Sequence, residues 1–357
     1  MKKLLLSMAA VALLFTACDD DKNEIVQEQE IDMSDFYVYT DFNEDLSSKS
    51  INSKEKFKTC YSMDVLNKQL DANPGLAKKM YDVEYNTRKF ITAKGKPGGK
   101  PGNGGGNGGG ESDVDVLPIE DGLGTINIPV YVHVVLPNAN DVSNSQIQSQ
   151  MSVLNDDFNS SNANQLPSGA SNFVNDATVT DVSFSLAGTF RHNDNTSSWG
   201  TNNAVKSAYP PITPDTHLNI WVCNIGGGIL GYAQFPGGNS STDGVVLLHS
   251  SLPGGSAAPY NEGRTATHEV GHYLNLRHIW GDGRCKRDDF VADTPPSDGA
   301  NYGCPSYPTV NCNTSDMTMN YMDYTDDACM YMFTDGQRNR MRALFASGGA
   351  RAAMAGN

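Results

Sequence analysis

The stretch Thr267–His278, which reads THEVGHYLNLRH, contains three of the chain's seven histidines. His268 and His272 are four residues apart, so a helix places both imidazoles on one face, where both can reach one metal ion. Glu269 projects beside that face, as a general base acting on water requires. His278 can join the pair only if the chain turns first. This pattern predicts a zinc site with His268, His272 and His278 as ligands and Glu269 as the catalytic base.

The turn before the third histidine is predicted at Asn275, because asparagine tolerates a positive φ better than most residues other than glycine. An ordinary helix that happens to carry histidines is the alternative, and a third histidine at this offset argues against it. The remaining histidines lack ligand spacing, and we expect them in the sheet or at the surface: His133, His192, His217 and His249.

The net charge and the N-terminal sequence limit the kinds of protein that the chain can be. The chain has 357 residues and a formal net charge of −15, which argues against nucleic-acid partners because phosphate binding needs a basic surface. After the N-terminus, no stretch is long and apolar enough to span a membrane. Lys2 and Lys3 precede the apolar run Leu4–Phe15, which predicts an export signal at residues 1–17.

Cys18 follows that signal at the predicted cleavage point, in a context that resembles a bacterial lipobox. We therefore predict that Cys18 is lipidated, and that this anchor is the chain's only contact with a membrane. A plain secretory signal is the alternative. The expected location is the outer membrane or cell surface, with the catalytic domain anchored there or released outside the cell, and the expected state is a monomer.

Composition divides the rest of the chain. Glycine at the density of GKPGGKPGNGGGNGGG cannot pack a core, so this stretch predicts a flexible linker. Before it, Met63, Leu66 and Leu70 have helical spacing, and Asn73–Gly75 breaks the pattern before a second short helix. The predicted segments are a tether (18–53), a propeptide-like module (54–94), the glycine-rich linker (95–116) and a catalytic domain (117–357).

The catalytic range alternates strand and helix patterns, and we expect an α+β domain. Predicted strands are Ile126–Val135, Val182–Gly188, His217–Ile225 and Gly244–His249, with a short edge strand in Gly231–Pro236. Helices are predicted with an apolar face of Ile147, Met151, Leu154 and Phe158, at the histidine motif, and from Thr334 to Phe345.

Seven cysteines occur in the chain. Four of them follow the histidine motif, which suggests two disulfides with three possible pairings. Cys60 lies alone in the propeptide-like module, with no obvious partner except Cys223 on a predicted strand.

Four stretches between 265 and 340 resemble the pappalysin family of metzincin zinc peptidases: TATHEVGHYLNLRHIWG, DDFVADTPP, CNTSDMTMNYMDY and DDACMYMFT. The resemblance covers about 117–357, and it implies a twisted mixed sheet, an active-site helix and a loop-rich C-terminal subdomain with disulfides. It implies that Met322 lies in the turn beneath the zinc and that Tyr324 supports the oxyanion. The implied disulfides are Cys285–Cys312 and Cys304–Cys329, and the implied calcium ligands are the acids Asp282, Asp288, Asp289 and Asp293.

The expected function is therefore a zinc-dependent endopeptidase that hydrolyses protein or peptide substrates. Another kind of zinc hydrolase, or a binding protein with a structural metal, are the alternatives. Some family members prefer arginine after the cut through an acid just before the last cysteine. Here Ala328 holds that position, so Asp326 and Asp327 are the candidates for specificity.

A latent precursor is also expected. The thiolate of Cys60 is a strong zinc ligand and could occupy the position that the hydrolytic water needs. Maturation would then require a cut between Cys60 and the catalytic domain, and Arg88, Lys89 and the lysines of the linker are candidate sites. The alternative is that Cys60 is incidental and the module assists folding.

Overall fold

The computed structural model describes residues 30–40, 58–95, 116–162 and 173–356. The predicted export signal, Cys18 and most of the linker lie outside the described residues. Among the helices that are described, none combines the length and the apolar character needed to cross a membrane.

A six-stranded mixed sheet has five strands from the catalytic range and one, β1, from the propeptide-like module. In chain order its strands are β1 (Lys58–Cys60), β2 (Ile126–Leu136), β3 (Val182–Asn193), β4 (Leu218–Cys223), β5 (Ile229–Ala233) and β6 (Val245–Leu248). Their order across the sheet is β1-β5-β6-β4-β2-β3. β5 runs antiparallel to β6, and β1 pairs parallel with β5. The other neighbouring strands are parallel. A separate two-stranded sheet joins β7 (Val310–Asn311) to β8 (Thr314–Ser315).

The five predicted strands are present, and β3 and β5 differ most from their predicted bounds, whereas β1, β7 and β8 were not predicted. β3 continues to Asn193, beyond the predicted end at Gly188, because it pairs with β2 along its whole length. β5 ends at Ala233, before Pro236, and begins two residues earlier than predicted. The predicted edge strand is therefore present, and β1 covers its outer side.

Six helices surround the sheets in the described residues: α1 (Ser62–Ala72), α2 (Gly75–Lys94), α3 (Asn144–Phe158), α4 (Ala204–Ala208), α5 (Arg264–Tyr273) and α6 (Asp335–Ala343). Ser143 caps α3 by accepting a hydrogen bond from the Gln146 amide at 3.1 Å. The apolar face predicted for α3 is buried. At α6, Thr334 and Gln337 form a capping box. The mixed sheet with these helices confirms the α+β class.

The N-terminal module, predicted at 54–94, contains β1, α1 and α2, and Asn73 and Pro74 separate the two helices. α2 has 20 residues, so the prediction of a short second helix was wrong. Its length places the buried Glu84 against α6, where the Glu84 carboxylate lies 2.7 Å from Arg340 Nη2 and 2.8 Å from Arg88 Nε. Burial alone would raise the pKa of Glu84, but the two guanidinium groups lower it to about 2. The module is therefore attached to the last helix through a buried charge network.

The loop-rich region after α5 contains two disulfides, Cys285–Cys312 and Cys304–Cys329. This is the pairing that the resemblance implies. Cys60 and Cys223 are buried free thiols.

Candidate active site

The local sequence explains how the third histidine returns to the first two. α5 ends at Tyr273, and Asn275 has a φ of 71°, which confirms the predicted turn. The Leu276 amide donates to the Gly271 carbonyl at 2.9 Å and closes the helix end. A Cβ atom at Gly271 would lie 2.4 Å from Met322 Sδ, so only glycine lets the methionine pack against the helix.

The three histidines converge through their Nε2 atoms. His272 Nε2 lies 3.1 Å from the Nε2 atoms of both His268 and His278. All three rings are buried. Burial first, and the neighbouring His278 second, lower the pKa of His268 to about 3, and the pKa of His272 falls well below its usual value. The rings of His268 and His272 are therefore neutral near pH 7, as metal ligation requires.

The opposite ring nitrogens fix the tautomers. Each Nδ1 atom has an acceptor: Tyr321 O for His268 at 2.7 Å, Leu276 O for His272 at 2.8 Å and Asp282 Oδ1 for His278 at 2.6 Å. Nδ1 therefore carries the proton, and three Nε2 lone pairs face one another. Such an arrangement is repulsive unless a cation lies between them.

Cys60 completes this group. Its sulfur and the ring nitrogens of His268, His272 and His278 lie within 4.8 Å of one another. Three imidazoles and one sulfur are a donor set that zinc binds and that calcium and magnesium avoid. The residues thus fit the expected zinc ion.

Glu269 lies directly beside the group. Its Oε2 accepts a hydrogen bond from Ser62 Oγ at 2.7 Å and contacts the Cys60 sulfur at 3.5 Å. Its Oε1 is buried and has no hydrogen-bond partner among the described residues. Burial raises the pKa of Glu269 to about 7, against the lowering effect of its hydrogen bonds. A carboxyl group with this pKa can both accept and return a proton near neutral pH.

The edge strand approaches the same carboxyl group. A Cβ atom at Gly231 of β5 would lie 2.9 Å from Glu269 Cγ, so the absence of a side chain there lets strand and base come together. A chain that lies along β5 therefore passes next to Glu269.

Met322 packs against the active-site helix at Gly271, and Tyr324 lies in the wall of the site. The Met322 amide donates to Asn320 Oδ1 at 2.9 Å, which fixes the turn. The Tyr324 ring packs edge-on against the rings of His278 and Trp280, with centroids 4.9 Å away in each case. Its hydroxyl donates to the Cys60 carbonyl at 3.3 Å.

A cavity of about 30 Å³ adjoins the site. Its lining includes His268, Glu269 and Tyr324, and it also includes the charged residues Arg264 and Asp327. Of the two acids predicted for specificity, Asp327 thus lies in the wall of the cavity, whereas Asp326 is absent from its lining.

Sequence reasoning missed two contacts of the site. Ser62, two residues after Cys60, hydrogen-bonds to Glu269 and accepts from the Ala233 amide at 2.7 Å. Asp282 was predicted as a calcium ligand, and the structure places it against His278. The four-residue spacing of Asp282 from His278 is a usable signal for a carboxylate that orients a metal ligand, whereas nothing in the sequence singles out Ser62.

Comparison with known proteins identifies relatives of this chain. The family described as Peptidase_M43, pregnancy-associated plasma protein-A, matches residues 215–346. An extracellular metalloprotease of Arthroderma otae is 34% identical over 225 residues, which are 60% of this chain and 76% of that protein. One from Pyricularia oryzae is 36% identical over 236 residues, which are 62% of this chain and 75% of that protein.

Solved structures match up to 83% of the chain. Mature mirolysin of Tannerella forsythia, with a cleaved peptide, is 45% identical and covers 64% of this chain and 95% of its own, with a TM-score of 0.61. A promirolysin mutant of the same organism is 36% identical and covers 83% of this chain and 97% of its own, with a TM-score of 0.67. The chain belongs to the pappalysin family of metzincins, and it is a zinc-dependent endopeptidase made as a latent precursor.

Proposed function

We propose that His268, His272 and His278 hold the zinc ion and that Glu269 is the general base for hydrolysis of peptide bonds in exported proteins or peptides. The observation that carries this assignment is the convergence of three buried histidine Nε2 atoms next to a buried carboxyl group. The complex of mature mirolysin with a cleaved peptide supports peptides as the substrate class.

The chain's own residues divide the chemistry among them. Zinc, when bound, supplies a Lewis acid for the attacking water and the scissile carbonyl. Glu269 takes the proton of the water at a carboxyl oxygen and returns it to the leaving amine. The Tyr324 hydroxyl donates to the carbonyl oxygen as negative charge develops there. β5 holds the substrate backbone in an extended conformation.

Latency is explained by the catalytic groups that β1 and the segment Cys60–Ser62 contact. The Cys60 sulfur takes the fourth position of the histidine group, and the Cys60 carbonyl accepts from Tyr324. The Ser62 hydroxyl donates to Glu269 and accepts from the β5 backbone at Ala233. β1 pairs with the outer side of β5. One short segment thus engages the metal position, the base, the oxyanion donor and the substrate-binding strand.

Metal removal tests this function directly. We expect the enzyme, once cut in the linker and separated from its N-terminal module, to hydrolyse casein, to lose that activity on treatment with 1,10-phenanthroline, and to regain it with one equivalent of zinc. Calcium or magnesium added alone should restore nothing. Hydrolysis that persists in metal-free protein would contradict the proposal. Zinc binding without hydrolysis would favour a binding protein, and hydrolysis of esters but not casein another class of hydrolase.

Cleavage preference is proposed to depend on Asp327. Its Oδ2 accepts from the amides of Glu262 at 2.8 Å and Arg264 at 3.2 Å. Burial raises the pKa of Asp327 to about 7, and Arg264 partly offsets the rise. The carboxyl group is therefore mainly ionised at pH 8 and mainly neutral at pH 6. A preference for arginine after the cut should be present at pH 8 and should decline as the pH falls through 7.

The measurement is a peptide library with arginine or leucine after the cut, assayed at both pH values. Asp327→Asn should remove the pH-dependent preference, and Asp326→Asn, which changes a neighbouring acid outside the cavity, should keep it. The assignment is wrong if the wild type shows no basic preference on either side of the cut.

Structural calcium is proposed near Asp288 and Asp289. Burial raises the pKa of both carboxyl groups, and the Asp288 carboxyl raises that of Asp289 further. A bound cation would offset this cost. The other two predicted ligands have different partners, because Asp293 accepts from Thr334 Oγ1 and the Gly336 amide at the start of α6 and Asp282 accepts from His278. An unchanged melting temperature across buffered calcium concentrations would exclude the site.

Export and anchoring are proposed from the sequence, with residues 1–17 as the signal and Cys18 as the lipidated residue of a monomeric cell-surface or outer-membrane protein. The extracellular metalloproteases among the relatives support export. The mass of the mature N-terminal peptide would decide between a lipidated and an unmodified Cys18.

A further inference from the structure

Tyr37 lies in the range predicted as a tether, yet its side chain contacts the catalytic part. The ring lies between two guanidinium groups, 4.4 Å from that of Arg277 and 4.2 Å from that of Arg287. Its single hydroxyl hydrogen is shared between two acceptors, the Gly281 carbonyl and, at 2.8 Å, the Asp288 carbonyl. The two guanidinium groups thus face the ring, and the two carbonyl oxygens face the hydroxyl.

Backbone contacts hold the same segment in place. Arg277 Nη2 donates to the Tyr37 carbonyl at 2.9 Å, and Arg287 Nη1 donates to the Tyr39 carbonyl at 3.0 Å. The two arginines thus bind the chain as well as the ring. The neighbouring Phe36 ring lies 5.8 Å from that of Phe290. The segment Met33–Thr40 therefore lies against the loop that follows the third histidine.

The contacts of this site favour tyrosine at position 37 over phenylalanine and over an acidic residue. Phenylalanine would keep the contacts with the guanidinium groups but would leave the carbonyls of Gly281 and Asp288 without their donor. Burial raises the pKa of the Tyr37 phenol, so the hydroxyl stays protonated and donates at physiological pH. An acidic side chain would suit the arginines but would repel the two carbonyl oxygens.

All groups on the receiving side come from the catalytic part, between Arg277 and Asp288. They therefore remain when the N-terminal segment leaves. The site also differs from the metal centre in its ligands, because neither the histidine Nε2 atoms nor Glu269 contact Tyr37 in any of the hydrogen bonds described above.

We propose that Arg277, Arg287 and the carbonyls of Gly281 and Asp288 form a tyrosine-binding site that holds the segment Met33–Thr40 independently of the metal centre. A cut in the linker alone then leaves the N-terminal module bound. Release requires dissociation at this second site, and the emptied site accepts a tyrosine-bearing peptide of the same kind. The consequence for activity rests on the proposed latency, whereas the binding itself does not.

The experiment uses the exported chain in a Glu269→Ala background, with residues 104–110 replaced by the recognition sequence of a site-specific protease. After complete cutting, gel filtration at decreasing concentrations measures the dissociation constant of the two pieces, with zinc and after chelation. We expect the unsubstituted pieces to stay together in both conditions. Tyr37→Ala should weaken their association by at least about tenfold, and Tyr37→Phe by less.

Tyr39→Ala is the matched control. Tyr39 is two residues away and 48% exposed, and its hydroxyl donates to Asp71 inside the module. This variant should dissociate like the parent. Circular dichroism of the uncut chains should show the same fold in all variants. A synthetic peptide of residues 33–40 should compete with the module for the cut parent, and the same peptide with alanine for tyrosine at 37 should not.

The experiment distinguishes failure of the tyrosine site from failure of the proposed latency. Equal dissociation constants for the parent, Tyr37→Ala and Tyr37→Phe overturn the tyrosine site, even if the uncut chain with Glu269 restored is latent. Full activity of that uncut chain would instead overturn the proposed latency, while the gel-filtration result would still decide the tyrosine site.

Discussion

Replacement of Glu269 by alanine is expected to reduce peptidase activity by at least about 10³-fold while zinc content stays near one ion per chain. The side chain lies beside the ligand group but donates no atom to it, so its loss removes proton transfer and leaves the three imidazoles in place. The measurement combines casein hydrolysis by the trimmed enzyme with metal analysis of the same samples.

Glu120→Gln is a suitable control, because Glu120 is an exposed acid in the same part of the chain. It should retain wild-type activity and metal content. Full activity of Glu269→Ala would refute the assigned base, and loss of zinc together with activity would show that Glu269 supports the metal rather than the reaction.

The uncut chain is expected to have at most about 1% of the activity of the trimmed enzyme, and Cys60→Ala should raise the activity of the uncut chain at least about tenfold. Loss of the sulfur opens the fourth ligand position. Activity should remain below that of the trimmed enzyme, because Ser62 still contacts Glu269 and β1 still covers β5. Initial rates on a short fluorogenic peptide would measure both effects.

Cys223→Ala provides the matched control, since Cys223 is the other buried free thiol among the described residues and lies on β4. This variant should stay as latent as the parent. A zinc-bound structure of the uncut Glu269→Ala chain without sulfur from Cys60 at the metal would disprove the mechanism, as would an uncut wild type that is already fully active.

The metal site could be predicted from the sequence because the residues that form it lie close together in the chain. The four-residue spacing of His268 and His272 needs only a helix, and the return of His278 needs only a residue that accepts positive φ. Asn275 supplies it, with a φ of 71°. Apolar periodicity likewise located α3 and the strands β2 to β6, because each of these elements buries apolar side chains.

The contacts that the N-terminal residues make with the catalytic part could not be predicted from the sequence, because they join residues far apart in the chain. Ser62 and Glu269 are 207 positions apart, and Tyr37 and Asp288 are 251 apart. Polar, acidic composition made residues 18–53 look like a tether, since Phe36 and Tyr37 are too few to predict a packed segment. The parallel pairing of β1 with β5 depends on only three residues of β1, which is too short for a strand pattern.

The ion pair between Glu84 and Arg340 also bears on what changes when the N-terminal module leaves. The two residues are 256 positions apart, and each side chain is only 3% exposed. In the uncut chain the carboxylate of Glu84 thus supplies the counter-ion for Arg340 on α6. Once the linker is cut and the N-terminal module leaves, Arg340 keeps only carbonyl acceptors among the described residues, those of Phe290 and Asn275. Departure of the module therefore removes the counter-ion of this arginine.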